Sequence, residues 1–141
     1  MKRLLTLVLL VSLLSAAALA ATKANTWGFL GPVRNAKYAY VTSYDGSQFS
    51  RNLLPENRAA ISAVQNAMAD SGRYIVVYRP EEAEMILAVK SWPSEDVLAV
   101  YDARSWHNGN YLWRATAKNG LSSPNLPLFR QLQAALERAS S

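Results

Sequence analysis

The chain has 141 residues, with 15 Lys and Arg against 10 Asp and Glu, one histidine and no cysteine. The lack of cysteine excludes disulfides, thiolate metal sites, cysteine nucleophiles and the lipidated cysteine of envelope lipoproteins. Apart from the adjacent Lys2 and Arg3, the basic residues are scattered singly, which indicates a solvated surface and no nucleic-acid interface.

The first twenty residues have the pattern of a secretory signal peptide. Met1-Lys2-Arg3 is basic, residues 4–14 are almost unbroken aliphatic sequence, and residues 18–20 form an A-x-A exit. The apolar run is short for a spanning helix, which needs about 20 residues. We therefore expect cleavage near Ala20, a periplasmic or secreted protein, and no stable membrane anchor after cleavage.

The remaining residues are expected to form a loose lead-in and one domain. Glycine, proline and asparagine favour irregular backbone over 21–36, and the domain spans 37–139. Helices are predicted where apolar residues recur at spacings of three and four, and strands where β-branched and aromatic residues are continuous or alternate. The predicted strands are 37–43, 74–78, 85–89, 97–101 and 111–117, and the predicted helices are 55–71 and 123–139.

The order of these elements, β-α-β-β-β-β-α, predicts an α+β fold. It implies one mixed, mainly antiparallel sheet with both helices packed on one face. Residues 74–78 are apolar throughout, which is typical of a central strand covered on both sides. The second helix has two possible starts, since Ser123 can cap a helix at Pro124, and Pro127 is an equally good first residue.

Residues 72–89 have the sequence GRYIVVYRPEEAEMILAV. This segment begins with a helix stop and a strand, and a Pro-x-x-Ala-acidic turn then leads into another apolar strand. This pattern resembles small β-α-β-β domains of the bacterial envelope, such as the N-terminal domain of the Tol–Pal translocation protein and the lipopolysaccharide-assembly and curli-secretion lipoproteins. It is also similar to uncharacterised secreted α/β proteins that share Gly72-Arg73-Tyr74 and Ala83-Glu84. The resemblance covers residues 37–139 and implies a non-catalytic binding or assembly module. The lipoprotein members have an anchoring cysteine that this chain lacks.

No motif in the sequence specifies catalysis, a metal or a cofactor. His107 has Asp102 and Ser105 nearby, but three residues of one turn-rich loop rarely reach triad geometry, and no G-x-S-x-G surrounds Ser105. One histidine and no cysteine argue against zinc, and the acidic residues at 81–84 lack the spacing of a calcium loop. We therefore predict no catalytic residues, no metal and no cofactor.

Aromatic residues cluster between positions 92 and 113, beside arginines and amides. Flat rings with such neighbours stack on sugars or contact a protein partner. Trp113 alternates along a strand and is expected in the core, whereas Trp106 lies in the polar segment SWHNGN and is open to either interpretation. The candidate ligand- or partner-binding residues are Trp92, Arg104, Trp106, His107 and Asn108.

Three functions fit the sequence. The first is a non-enzymatic binding or assembly module of the bacterial envelope, with an envelope protein or polymer bound at a sheet edge or at the 102–114 hairpin. The second is a carbohydrate or peptidoglycan binder that uses the aromatic residues of 92–113. The third is a small hydrolase around His107. The sequence leaves the oligomeric state open.

Overall fold

The structure, a computed structural model, describes residues 26–122 and 124–140. The expected signal peptide and the alternative helix cap Ser123 lie outside the described residues. Within the described ranges, no helix has both the length and the hydropathy needed to cross a bilayer.

The described part of the chain forms an α+β fold, as the sequence predicts. In chain order, its strands and helices are β1 (Thr26–Gly28), β2 (Tyr38–Ser43), α1 (Pro55–Asp70), β3 (Ile75–Val77), β4 (Met85–Ser91), β5 (Asp96–Asp102), β6 (Trp113–Ala117) and α2 (Pro127–Ser140). Short 3-10 turns occupy Gly31–Val33, Pro80–Glu82 and Trp106–Asn108. Of the two predicted starts for the second helix, the structure has the one at Pro127.

The strands form a single mixed sheet in the order β1-β6-β5-β4-β2-β3. β2 pairs in parallel with both β3 and β4, while the pairs β4–β5, β5–β6 and β1–β6 are antiparallel. α1 connects the parallel strands β2 and β3, since such a connection must cross over the sheet. The prediction of a mixed, mainly antiparallel sheet is confirmed.

The prediction that 74–78 forms a central strand is wrong. β3 is only three residues long and lies at one edge of the sheet, beside β2. Ile75 is 44% exposed. The strand is apolar on both sides because Val76 packs against the helix side of the sheet while Val77 packs against the other side.

The described part of the lead-in, residues 26–36, is more ordered than the sequence predicts. β1 pairs with β6 and adds a sixth strand at the far edge of the sheet. After it, the amide of Phe29 donates to the carbonyl of Leu112 at 2.6 Å, and Leu30 and Val33 are buried in the main core. Residues 26–36 therefore belong to the domain.

Both helices pack on one face of the sheet, as predicted. The predicted stripes are buried there, namely Ile61, Val64 and Met68 of α1 and Phe129, Leu132 and Leu136 of α2. Trp113 joins this core and is 3% exposed. The other face, which we call the open face, has a small cluster without a residue of either helix: Tyr40, Ile86, Ala88, Ala99 and Tyr101.

Candidate binding site on the open face of the sheet

Two adjoining pockets lie on the open face. The neutral pocket, of about 540 Å³, is lined by residues that include Tyr40, Thr42, Tyr44, Ala88, Tyr101 and Trp106. The cationic pocket, of about 460 Å³, is lined by residues that include Tyr44, Lys90, Trp92, Tyr101, Tyr111 and Arg114. Both are bounded by Tyr44, Tyr101 and Gly109. The two pockets therefore form one groove, and we refer to them together as the aromatic groove.

A pair of tyrosines divides the aromatic groove. Tyr101 comes from β5 and Tyr44 from the turn after β2, and the Tyr101 hydroxyl donates to the Tyr44 hydroxyl at 3.2 Å. The turn is closed by paired backbone bonds between Ser43 and Gly46. Gly46 has a φ of +137°, which favours glycine, and a Cβ there would lie 2.6 Å from the Ser50 hydroxyl. This turn holds Tyr44 over the sheet.

Tyr101, one of the two tyrosines that divide the groove, has a raised pKa. Burial raises the pKa of Tyr101 well above its usual range, and its hydrogen bond to Tyr44 raises it further, against the opposing effect of the Arg114 charge. Burial also raises the pKa of Tyr74, which packs in the main core. Both phenols are therefore held in their neutral form.

We expect Tyr101→Phe to flatten the alkaline loss of stability. Because the folded-state pKa is above the unfolded-state value of about 10, stability is kept below pH 10 and lost as the pH rises from there toward the folded-state pKa. Urea unfolding of wild type and variant at pH 7 and pH 11 measures the effect. Tyr74→Phe should act in the same direction, and an unchanged pH dependence in both variants would contradict the assignment.

Lys90 is fixed in the cationic pocket by contacts on two sides. Its Nζ lies 4.5 Å from the centroid of the Trp92 ring, and 2.8 and 3.0 Å from the two carboxylate oxygens of Asp45. Asp45 in turn accepts a hydrogen bond from Nδ2 of Asn57 at 3.0 Å. The Oδ1 of Asn57 accepts from the amide of Ser91 at 2.9 Å. Asn57 is fully buried on α1, so the helix layer sets the position of a cation on the open face.

The structure brings only some of the predicted binding residues together. Trp106, 37% exposed, lines the neutral pocket, and Trp92, 52% exposed, lines the cationic pocket. His107 and Asn108 are exposed on the 3-10 turn that carries Trp106, but they are not among the residues lining the aromatic groove. Arg104 lines a separate polar pocket at one end of the strands.

Several groove residues are absent from the sequence-based candidates. Tyr40 and Tyr44 precede the predicted aromatic cluster by about fifty residues. Tyr101 ends the predicted strand 97–101, and Lys90 directly follows the predicted strand 85–89. Alternation along β2 places Tyr40 and Thr42 on one face. The missing information was the pairing of β2 with β4 and of β4 with β5, which brings that face beside Tyr101.

In the loop around His107, which the hydrolase hypothesis uses, the Asp102 side chain makes its polar contacts with Arg104. The Asp102 carboxylate accepts three hydrogen bonds from Arg104, at 3.0, 3.1 and 2.8 Å. The Arg104 guanidinium lowers the pKa of Asp102 through these bonds. His107 is exposed on the neighbouring turn. Among the described residues, no three of His, Cys, Asp and Glu are grouped so that they could hold a metal.

Comparison with known proteins finds similar solved structures. No protein-family profile matches the chain, and no curated protein matches it. Two solved structures of PelC dodecamers from Paraburkholderia phytofirmans are similar at 20% sequence identity over 81% of this chain. One, which carries a leucine-to-methionine substitution, is covered over 98% with a TM-score of 0.49, and the other over 96% with a TM-score of 0.48. These values establish neither a family nor a function.

Proposed function

We propose that this chain is a non-catalytic module of the bacterial envelope that binds a carbohydrate chain in the aromatic groove. The observation that carries the proposal is the grouping of Tyr44, Tyr101, Trp92 and Trp106 around two adjoining pockets. The envelope location rests on the signal-peptide pattern of residues 1–20.

The chemistry of the groove suits a sugar. Aromatic faces offer a flat apolar surface, with which the C–H faces of a pyranose ring can stack, and phenol hydroxyls add hydrogen-bonding groups. Tyr44 accepts from Tyr101, so the Tyr44 hydroxyl can still donate to a ligand. Trp92 and Trp106 are half exposed and therefore accessible.

The alternative of strand addition at a sheet edge has less in its favour. The edge strands β1 and β3 are three residues long. A partner strand added to either would gain few main-chain hydrogen bonds, which supply most of the affinity in this type of recognition. The polar contacts of Asp102 with Arg104, described above, give no support to a hydrolase.

Trp106→Ala should weaken carbohydrate binding without unfolding the protein. Loss of a central interface aromatic costs about 2 kcal/mol or more, which corresponds to roughly thirtyfold in affinity. The measurement is titration calorimetry with soluble cello- and chitin-oligosaccharides and oligogalacturonates, together with retention on purified peptidoglycan sacculi. The melting temperature reports folding.

The matched control is Tyr78→Ala, which removes an exposed aromatic ring at a position outside the groove lining. It should bind like wild type. Failure of the wild type to bind any of these carbohydrates would overturn the proposal. Unfolding of Trp106→Ala would show that the indole supports the core, and Trp92→Ala would then carry the test of the groove.

A further inference from the structure

We infer that the aromatic groove is selective for an acidic polysaccharide, with an uncharged sugar ring in the neutral pocket and a carboxylate-bearing sugar in the cationic pocket. This inference rests on the proposed function and specifies its ligand class. It is carried by the uneven distribution of charge along the groove.

The neutral pocket has no charged side chain among the described residues that line it. Its walls are aromatic rings and hydroxyls, from Tyr40, Thr42, Tyr44, Tyr101 and Trp106. Such a surface can stack on a sugar and exchange hydrogen bonds with it, but it provides no ionic partner for a charged substituent. An uncharged ring is the ligand that it fits.

The cationic pocket has two positive side chains, Lys90 and Arg114, and the described residues lining it include no carboxylate. Lys90 is paired with Asp45 at 2.8 Å, so this pair is close to neutral. Its ammonium has three donors, of which the two Asp45 contacts occupy two. Arg114 thus supplies the net charge of the cationic pocket.

Arg114 is well placed for a carboxylate. It lies on β6 opposite Ala99 of β5, one of the small residues of the open face, and it is half-buried. A guanidinium presents a planar fork of donors that matches a carboxylate in two parallel hydrogen bonds. Partial burial strengthens such a contact relative to one in bulk water.

The shared tyrosine pair makes the two pockets neighbours. Because Tyr44 and Tyr101 bound both pockets, a neutral ring in one pocket and an acidic ring in the other lie on either side of the same wall. One continuous chain can therefore occupy both. A free uronic acid reaches only the cationic pocket and should bind much more weakly than an oligomer.

The test uses oligosaccharides in which glucuronic acid alternates with N-acetylglucosamine, so that each acidic sugar adjoins an uncharged one, and compares them with the same oligomers after methyl esterification, which removes the charge and keeps the sugar backbone. We expect the wild type to bind the acidic form at least tenfold more tightly at low salt, and this preference should shrink as salt is raised. Arg114→Gln should abolish the preference, so that the variant binds the acidic form and the ester with equal affinity. Arg114→Lys, which keeps the charge without the fork, should retain part of the preference.

Arg130→Gln is the matched control, because Arg130 is exposed on α2, on the other side of the sheet. Equal affinity for the two forms, with no effect of Arg114→Gln, would overturn the selectivity while leaving Trp106-dependent binding of both forms as support for the proposed function. Absence of binding to either form and to all neutral oligosaccharides would overturn both. If Arg114→Gln does not fold, the salt dependence of the wild type for the two forms decides the question.

Discussion

Leu132→Ala is expected to lower the free energy of unfolding by about 2–5 kcal/mol. Leu132 is fully buried on α2, within the core that the helices form against the sheet. Truncation removes its transfer free energy and leaves a cavity that the neighbouring α2 residues Leu128 and Leu136, which are also buried, can fill only in part. Urea unfolding followed by circular dichroism measures the loss.

Arg130→Ala on the same helix is the control, since Arg130 is exposed, and it should change stability by less than about 0.5 kcal/mol. The aromatic groove lies on the opposite face of the sheet, so the folded Leu132→Ala variant should keep wild-type affinity for carbohydrate. A small stability loss would mean that α2 packs loosely. Loss of binding in the folded variant would mean that the helix layer and the groove are coupled at this position.

The sequence is a good guide to the helices because their signals are local. The apolar spacing of α1 and α2 identifies the residues that become buried, and proline at the first position marks where each helix begins. β3 shows the limit of this approach. An apolar run of five residues indicates a strand. Its position at the sheet edge depends on which side of β2 it pairs with, and this pairing is set by contacts with residues far away in the sequence.

The binding surface shows the same limit more strongly. Trp92 and Trp106 could be recognised from their position in a polar and aromatic segment, and both line the groove. Tyr40 and Tyr44 join them only because β2 lies beside β4 in the sheet. Arg104, His107 and Asn108 are close to Trp106 in sequence, yet none is among the groove's lining residues. The 3-10 turn Trp106–Asn108 sends its side chains in different directions, and Arg104 bonds the Asp102 carboxylate beside a separate pocket.

Asn57→Asp should be the most damaging change of a single polar group, because it affects both stability and the cationic pocket. Asn57 is fully buried and donates from Nδ2 to the Asp45 carboxylate at 3.0 Å. The substitution replaces that donor by a carboxylate oxygen, which places two acidic groups in contact. We expect a loss of about 3 kcal/mol at pH 7, because the new buried charge faces the like charge of Asp45.

The pH dependence distinguishes this cause from a simple loss of packing. Repulsion and burial raise the folded-state pKa of the new carboxyl above its unfolded-state value of about 4, so the destabilisation is small below pH 4 and grows as the pH rises. Asn57→Ala, which removes the hydrogen bonds without adding a charge, should cost about 1–3 kcal/mol with no such dependence. Urea unfolding of both variants at pH 4 and pH 7 is the measurement. Equal losses at the two pH values in Asn57→Asp would contradict a cause that depends on the charge of the new carboxylate.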